Sequence, residues 1–287
     1  MARLTDFARN ITSQNGDDGM LARLIADLLI SPGFCIEFGA WDGRHLSNTW
    51  NLWAHNGWSA LLIEADATRY KSLTQQTAGF PVTTLCAMVG TDSESSLDRI
   101  VSQARIQQEI ALLSIDIDGN DYWVWKATSL TPSIVVIEYN ASFPPEITYI
   151  PLPNTHVGAS AAAFVALATS KGYTLIGLTK TNLIFVRDDK LHLLSLHISP
   201  LEELFDRSWV PLVYSDMYGV HHLIQPAQWG FAGFRADIGT SKFTGRARHA
   251  MVAPAKWLTH RQVPLVSKSV RYLADRHSQH ALRRYPS

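Results

Sequence analysis

The sequence is poor in cysteine, poor in charge and without a long apolar run. Two cysteines among 287 residues offer no zinc-site spacing. Both, Cys35 and Cys86, stand in apolar runs and are expected to be buried, reduced thiols. Charged residues make up only 17% of the chain and sum to zero, while 46% are hydrophobic. That balance excludes a disordered chain and fits a globular protein with a sizeable core. The longest candidate membrane run, Ala159 to Ala168, is alanine-rich and too short to span a bilayer. The first residues have no apolar stretch of signal-peptide length. The expectation is a cytoplasmic protein with one large domain, or one domain and an appendage.

The neutral total hides an uneven distribution. Residues 241–287 carry ten of the 25 Lys/Arg and a single acid, Asp275, of the 25 Asp/Glu. A basic tail on an acidic body suits contact with an anionic partner or surface, or docking onto the body itself. Nucleic acid is not the expected partner, because the body is acidic and carries no base-pocket motif of the Asn-Pro-Pro-Tyr kind. Trp209, Trp229 and Trp257 either belong to a core or mark an interface between copies.

Apolar spacing predicts a helix over 17–30, with Ser13 or Asp17 as its cap and Pro32-Gly33 beyond its end. Short apolar runs then alternate with helical segments. Strands are expected at Phe34–Phe38, Ser59–Ile63, Pro81–Val89, Ala111–Ile117 and Ile134–Ile137, and helices at Ser47–Asn56, Ala67–Thr77 and from Tyr122 to Ala127, with Ser96–Gln107 either helix or loop. After a Pro-containing loop, 141–157, a helix spans Gly158–Gly172, and Tyr173–Leu178 with Leu183–Val186 reads as a hairpin. Leu191–Asp206 reads as strand then helix. The alternation gives an α/β fold: a Rossmann-like, doubly wound, mostly parallel seven-stranded sheet with helices on both faces. The expected division is a core over 1–190 and a C-terminal appendage over 191–287.

In such a sheet the ligand lies beyond the carboxyl ends of the strands, where the strand order reverses. The first strand runs into Glu37-Phe-Gly39-Ala-Trp-Asp-Gly43, with glycines for close approach and a tight turn. The second ends in Glu64, followed by Ala65. The glycine spacing is not GxGxxG, and an acid stands where a pyrophosphate would be repelled. Glu37 is suited to a cofactor ammonium and Glu64 to both ribose hydroxyls, which favours S-adenosylmethionine, with its positive sulfonium, over a dinucleotide. Ala87 and Met88, at the end of the third strand, are expected to line the adenine pocket.

Ser13-Gln14-Asn15-Gly16-Asp17-Asp18-Gly19 resembles the segment that precedes the core in FkbM-type methyltransferases. The runs FCIEFGAWDGRHLSNT, LLIEAD, LLSIDIDGNDYWVW and VVIEYN are similar to that family's series of strand-end motifs. The resemblance covers about residues 13–187 and is absent from the last hundred. It implies a class I fold, S-adenosylmethionine as methyl donor and an oxygen acceptor on a sugar or natural-product small molecule. On that reading Gln14 and Asp18 stand near the acceptor, with His45, Asn48, Tyr122 and His156.

Asp116 and Asp118 lie two apart at the end of the fourth strand, and Glu138 and Asn140 at the end of the fifth. Asp116 is placed against the cofactor, and both aspartates are the catalytic candidates. Together these side chains make a hard-cation site for Mg²⁺, with Asp118, Glu138 and Asn140 as its ligands. Related metal-dependent sugar O-methyltransferases use an Asp after the fourth strand and acids after the fifth; Asn140 departs from that pattern. A metal would lower the pKa of an acceptor hydroxyl; without one, Asp118 serves as general base. Alternatively Asp118 and Asn120 cap the next helix and Asp116 makes structural bonds. The loop histidines His156, His221 and His222 are read first as surface or packing residues, although the doubled His221-His222 also invites a base or ligand reading.

Two other readings stay open. SIDIDGND also resembles the Asp-x-Asp-Gly motif of haloacid dehalogenase-type phosphatases, whose first Asp is phosphorylated, although there the motif lies on the first strand. The second is a non-catalytic nucleoside-binding module.

Overall fold

The computed structural model describes residues 1–210, together with 213–215, 217, 221–223 and 251–252. The chain divides into two compact units, Met1–Phe205 and Asp206–Ser287. In the first, the strands are β1 (Phe34–Phe38), β2 (Ser59–Glu64), β3 (Val82–Cys86), β4 (Ile110–Ile115), β5 (Ile134–Glu138), β6 (Tyr173–Leu178) and β7 (Asn182–Arg187). The helices are α1 (Asp17–Asp27), α2 (Trp50–His55), α3 (Ala67–Gln76), α4 (Leu97–Gln103), α5 (Asp121–Ala127), α6 (Ala161–Ser170) and α7 (Leu201–Leu204).

The seven strands form one sheet in the order β3-β2-β1-β4-β5-β7-β6. β1 to β5 are parallel, and β7 runs antiparallel between β5 and β6. This is the Rossmann-like, doubly wound arrangement that the alternation of elements predicts, with the hairpin at one edge. The order reverses between β1 and β4, which opens a crevice at their carboxyl ends. Helices start where local chemistry lets them. Asp66 accepts from the Thr68 and Arg69 amides at the head of α3, and Ser160 from Ala163 at the head of α6.

One face of the sheet packs Cys35, Ala60, Leu62, Leu112, Ile134 and Val136 against Met20, Leu21 and Leu24 of α1, Trp53 of α2 and Leu73 of α3. On the other face an aromatic cluster joins Trp125 of α5 to Phe164 of α6 and Phe185 of β7, with ring centroids 6.3 and 5.1 Å apart. The central strands are buried along all but the first residue of β2 and of β4, as a two-sided parallel sheet requires.

Several local expectations differ. Gly16, with φ +103°, occupies the N-cap of α1, while Ser13 bonds Asp18. The helix expected from Ser47 starts at Trp50, because Ser47, Asn48 and Thr49 turn their donors toward Glu37. β3 is an edge strand and ends at Cys86, so Cys35 is buried but Cys86 is exposed. No strand follows residue 190 within the first unit: β7 is already paired on both sides, so the chain leaves through a 3₁₀ segment, Asp188–Leu193, and α7. Leu196, Leu201 and Phe205 are buried there, within the first unit.

The second unit contains a three-stranded antiparallel sheet, β8 (Val213–Ser215), β9 (His221–Leu223) and β10 (Met251–Val252), with β9 central. His221 and His222 therefore belong to a strand, not a loop. Apart from the backbone of Met251–Val252, the basic tail lies outside the described residues, as do Trp229 and Trp257. No helix among the described residues is long and apolar enough to cross a membrane.

Candidate functional site

Strand register places a row of polar side chains on one face at the carboxyl ends. Glu37 pairs with Leu62 and with Ser114, Ser114 with Val136, and Glu138 with Asn182. Because side chains alternate, Glu64, Glu37, Ser114, Asp116, Glu138 and Asn182 share that face. A row of this kind cannot arise from one strand; it needs the order of five.

Glu37 is buried, and its carboxylate is engaged by its own chain. Oε2 accepts from the hydroxyls of Ser47 and Thr49, each at 2.6 Å, and Oε1 from the Asn48 amide at 3.0 Å. Burial raises its pKa, and these three bonds oppose the rise. Asn48 donates through Nδ2 to Ser114 at 3.1 Å, tying the β1–α2 loop to β4 and leaving its buried Oδ1 without a partner. Glu64, at the tip of β2, accepts the Trp41 amide on Oε2 and the Asp66 amide on Oε1, both at 2.8 Å. Ala65 follows it on the surface, and the Ala87 amide bonds the Glu64 carbonyl at 3.2 Å, which draws the end of β3 to this corner. Met88 is 73% exposed.

The glycines act on the fold. Gly39 (φ +77°) has a place for no Cβ, because a Cβ would overlap the Asp116 carbonyl oxygen. Its close approach is to β4 rather than only to a ligand. At Gly43 (φ +83°) a Cβ would stand 2.8 Å from Leu73 Cδ1. Six of the loop's amides are spoken for: Gly39 and Ala40 bond the Ile63 carbonyl, Trp41 bonds Glu64, Gly43 bonds the Ala40 carbonyl, and Arg44 and His45 bond Asp42. A phosphate-binding loop keeps such amides open for its anion; this one spends them on itself.

Beyond β4 and β5 the acids converge. Carboxylate oxygens of Asp116, Asp118 and Glu138 lie within 4.8 Å of one another. Asp116 and Glu138 are hydrogen-bonded side chain to side chain, which requires at least one of the two to be protonated. Withdrawal from water, with the charges of Asp121 and Asp118, pushes Asp116 up to about 7. Glu138 is also pushed well up, by burial first and then by Asp116. Asp118 is exposed, in a left-handed conformation (φ +57°). Asp121, at the first position of α5 and not singled out by the sequence, is buried, accepts the Ile117 and Gly119 amides at 2.9 and 2.8 Å, and shapes the turn that presents Asp118. Its signal in the sequence is the Asp-Gly-Asn-Asp run itself, an acid two residues past a glycine turn.

The remaining candidates separate. Asn140 accepts the Ser142 amide on Oδ1 at 3.0 Å, a bond any metal there would have to share. Exposed His156 places Nδ1 3.2 Å from the Asp118 carbonyl oxygen. Exposed His45 packs its ring 5.4 Å from Trp41. Tyr122 is buried against Trp123 and Phe164, the position of a packing residue. Asp18 points into its own turn: Oδ2 accepts from the Ile11, Thr12 and Ser13 amides and the Ser13 hydroxyl. Gln14 lies in that turn, which the Thr12 hydroxyl ties to the Ser47 carbonyl at 3.1 Å. Thus Asp18 organises the wall in which Gln14 sits.

No family model matches the chain, and no curated protein matches it. Solved structures resemble it. The CMeT domain of the citrinin polyketide synthase is 12% identical with a TM-score of 0.37, over 55% of this chain and 46% of that one, so the chain spans less than half its length. A TehB-like SAM-dependent methyltransferase from Corynebacterium glutamicum is 12% identical with a TM-score of 0.37, over 58% of this chain and 86% of that one. The N-terminal domain of EvdMO1 with SAH bound is 14% identical with a TM-score of 0.42, over 61% of this chain and 82% of that one. At these identities the likeness is one of fold.

Proposed function

We propose that the chain is an S-adenosylmethionine-dependent methyltransferase that acts on a hydroxyl of a small-molecule acceptor. The observation that carries this reading is the single-faced row of acids at the switch point, beside a glycine corner where the amides of Gly39, Ala40, Trp41 and Gly43 are bonded within the chain. Such a corner repels a pyrophosphate and suits a ligand that brings hydroxyl donors and positive charge. The donor set fits the cofactor. Glu64 has lone pairs left for ribose hydroxyls, Ala65, Ala87 and Met88 border the base, and the acids near Asp116 face the cationic end. When bound, the cofactor supplies an electrophilic methyl group.

The chain's own part is to position the acceptor in line and remove its proton. Asp118 is the exposed carboxylate of the cluster and the group best placed to accept that proton. A proton held between Asp116 and Glu138 keeps the cluster's charge down. Gln14, His45, Asn48, Tyr122 and His156 surround this end of the sheet as acceptor-side candidates, with Asn48 and Tyr122 acting from buried positions. A divalent cation such as Mg²⁺ is the second reading, favoured by the 4.8 Å grouping of Asp116, Asp118 and Glu138. It would take these three as ligands and displace the shared proton. A phosphatase reading is weaker, because the Asp-x-Asp-Gly run follows the fourth strand rather than the first.

Calorimetric titration of the full chain with S-adenosylhomocysteine, with and without Mg²⁺, tests the assignment. Saturable binding at a single site is expected. No heat of binding, or preference for a dinucleotide, overturns it.

A further inference from the structure

The geometry points to Trp41 as a positioning residue for the nucleoside end of the site, locking Glu64 in place through a stack with Arg69. This rests on the reading of Glu64 as the ribose ligand. The β1–α2 loop turns left-handed at alternate residues: Gly39 (φ +77°), Trp41 (φ +51°) and Gly43 (φ +83°). Glycine or asparagine is the usual occupant of such a conformation, and a bulky side chain there is strained. Core packing does not require the indole either, since Trp41 is 43% exposed. An expensive, exposed residue held at a strained position asks for a role outside folding.

Its contacts supply one. The Trp41 amide donates to Glu64 Oε2 at 2.8 Å. The Arg69 guanidinium lies 3.6 Å from the indole centroid, a close cation–π stack. Arg69 stands on the first turn of α3, which Asp66 caps, and the Asp66 amide donates to Glu64 Oε1 at 2.8 Å. The four residues close a ring. Glu64 is gripped on one oxygen from the β1–α2 loop and on the other from the head of α3, and the indole–guanidinium stack ties these two segments a second time. A carboxylate fixed this way keeps its remaining lone pairs in one direction, which is what a pair of vicinal hydroxyls needs.

The test compares the wild-type chain with Trp41→Asn and Trp41→Phe, each by calorimetry with S-adenosylhomocysteine and by thermal melting. Asn accepts the left-handed backbone but has no ring; Phe keeps a ring face for Arg69. Trp41→Asn is expected to bind about tenfold more weakly, with a melting temperature equal to or above that of the wild type. Trp41→Phe is expected to stay within about threefold of the wild-type affinity. Unchanged affinity in Trp41→Asn overturns the inference while leaving the site standing. So does a parallel fall of affinity and melting temperature, the mark of a merely structural residue. A wild type that does not bind the nucleoside removes the reading of the site, and this inference with it.

Discussion

Asp116 and Glu138, at the ends of adjacent parallel strands, share a hydrogen bond between two carboxyl groups. Two like-charged acids in that relation cannot both ionise cheaply. Native Asp116 holds its proton up to about 7, whereas in the unfolded chain it releases it near 3.8. The native state therefore binds more protons across that interval, and stability falls as pH rises through it. A melting temperature that declines between about pH 5 and pH 7.5 is expected, and Asp116→Asn should flatten the profile. At pH 8 the variant should melt about 3 °C higher, equivalent to roughly 1 kcal/mol. A wild-type profile that rises over this range would contradict the shared proton.

Glu64→Ala removes both oxygens that hold Trp41 and Asp66 and, in the proposed reading, the ribose. Affinity for S-adenosylhomocysteine should drop at least about tenfold, near 1.4 kcal/mol. Calorimetry on the folded variant checks it; equal affinity would detach Glu64 from the ligand.

Gly39→Ala meets two obstacles, a left-handed backbone and the Asp116 carbonyl where the methyl must go. Destabilisation of roughly 3 kcal/mol or more is expected, read as a fall in the urea midpoint or as loss of soluble protein. A neutral outcome would mean that β1 and β4 do not approach as described.

Asp18→Asn weakens a carboxylate that four donors share. The loss should be about 2 kcal/mol. Hydrogen exchange should show the Ile11, Thr12 and Ser13 amides losing protection while the strands β1 and β4 keep theirs. Equal protection in the variant would count against this turn.

The fold was legible because its signals are local. Apolar runs such as Cys35–Phe38 and Leu61–Ile63 mark buried strands, and glycines and acids mark their ends. The exceptions were Cys86, exposed because β3 lies at an edge, and the strand expected after residue 190, which had no free neighbour to pair with. Edge and neighbour are properties of strand order, which no single segment carries.

The candidate site was half legible. That Asp116, Asp118 and Glu138 would meet follows from two adjacent strand ends, and they do meet. That Asp18 and Asp121 would turn onto backbone amides, and that Trp41 would stack on Arg69, did not follow. Side chains of these types serve equally well facing a ligand or facing their own loop.

Sequence by itself determined that Glu37, Glu64, Asp116 and Glu138 stand at or just past the ends of β1, β2, β4 and β5, since strand periods are written into consecutive residues. Only the tertiary structure decided what each carboxylate does there. Hydrogen-bond donors come from outside the strand itself: Ser47 and Thr49 of the following loop for Glu37, Trp41 of the β1–α2 loop and Asp66 at the head of α3 for Glu64, and Glu138 of the next strand for Asp116. A buried charge takes whatever partner packing brings within reach, and that is settled by how the strands are ordered.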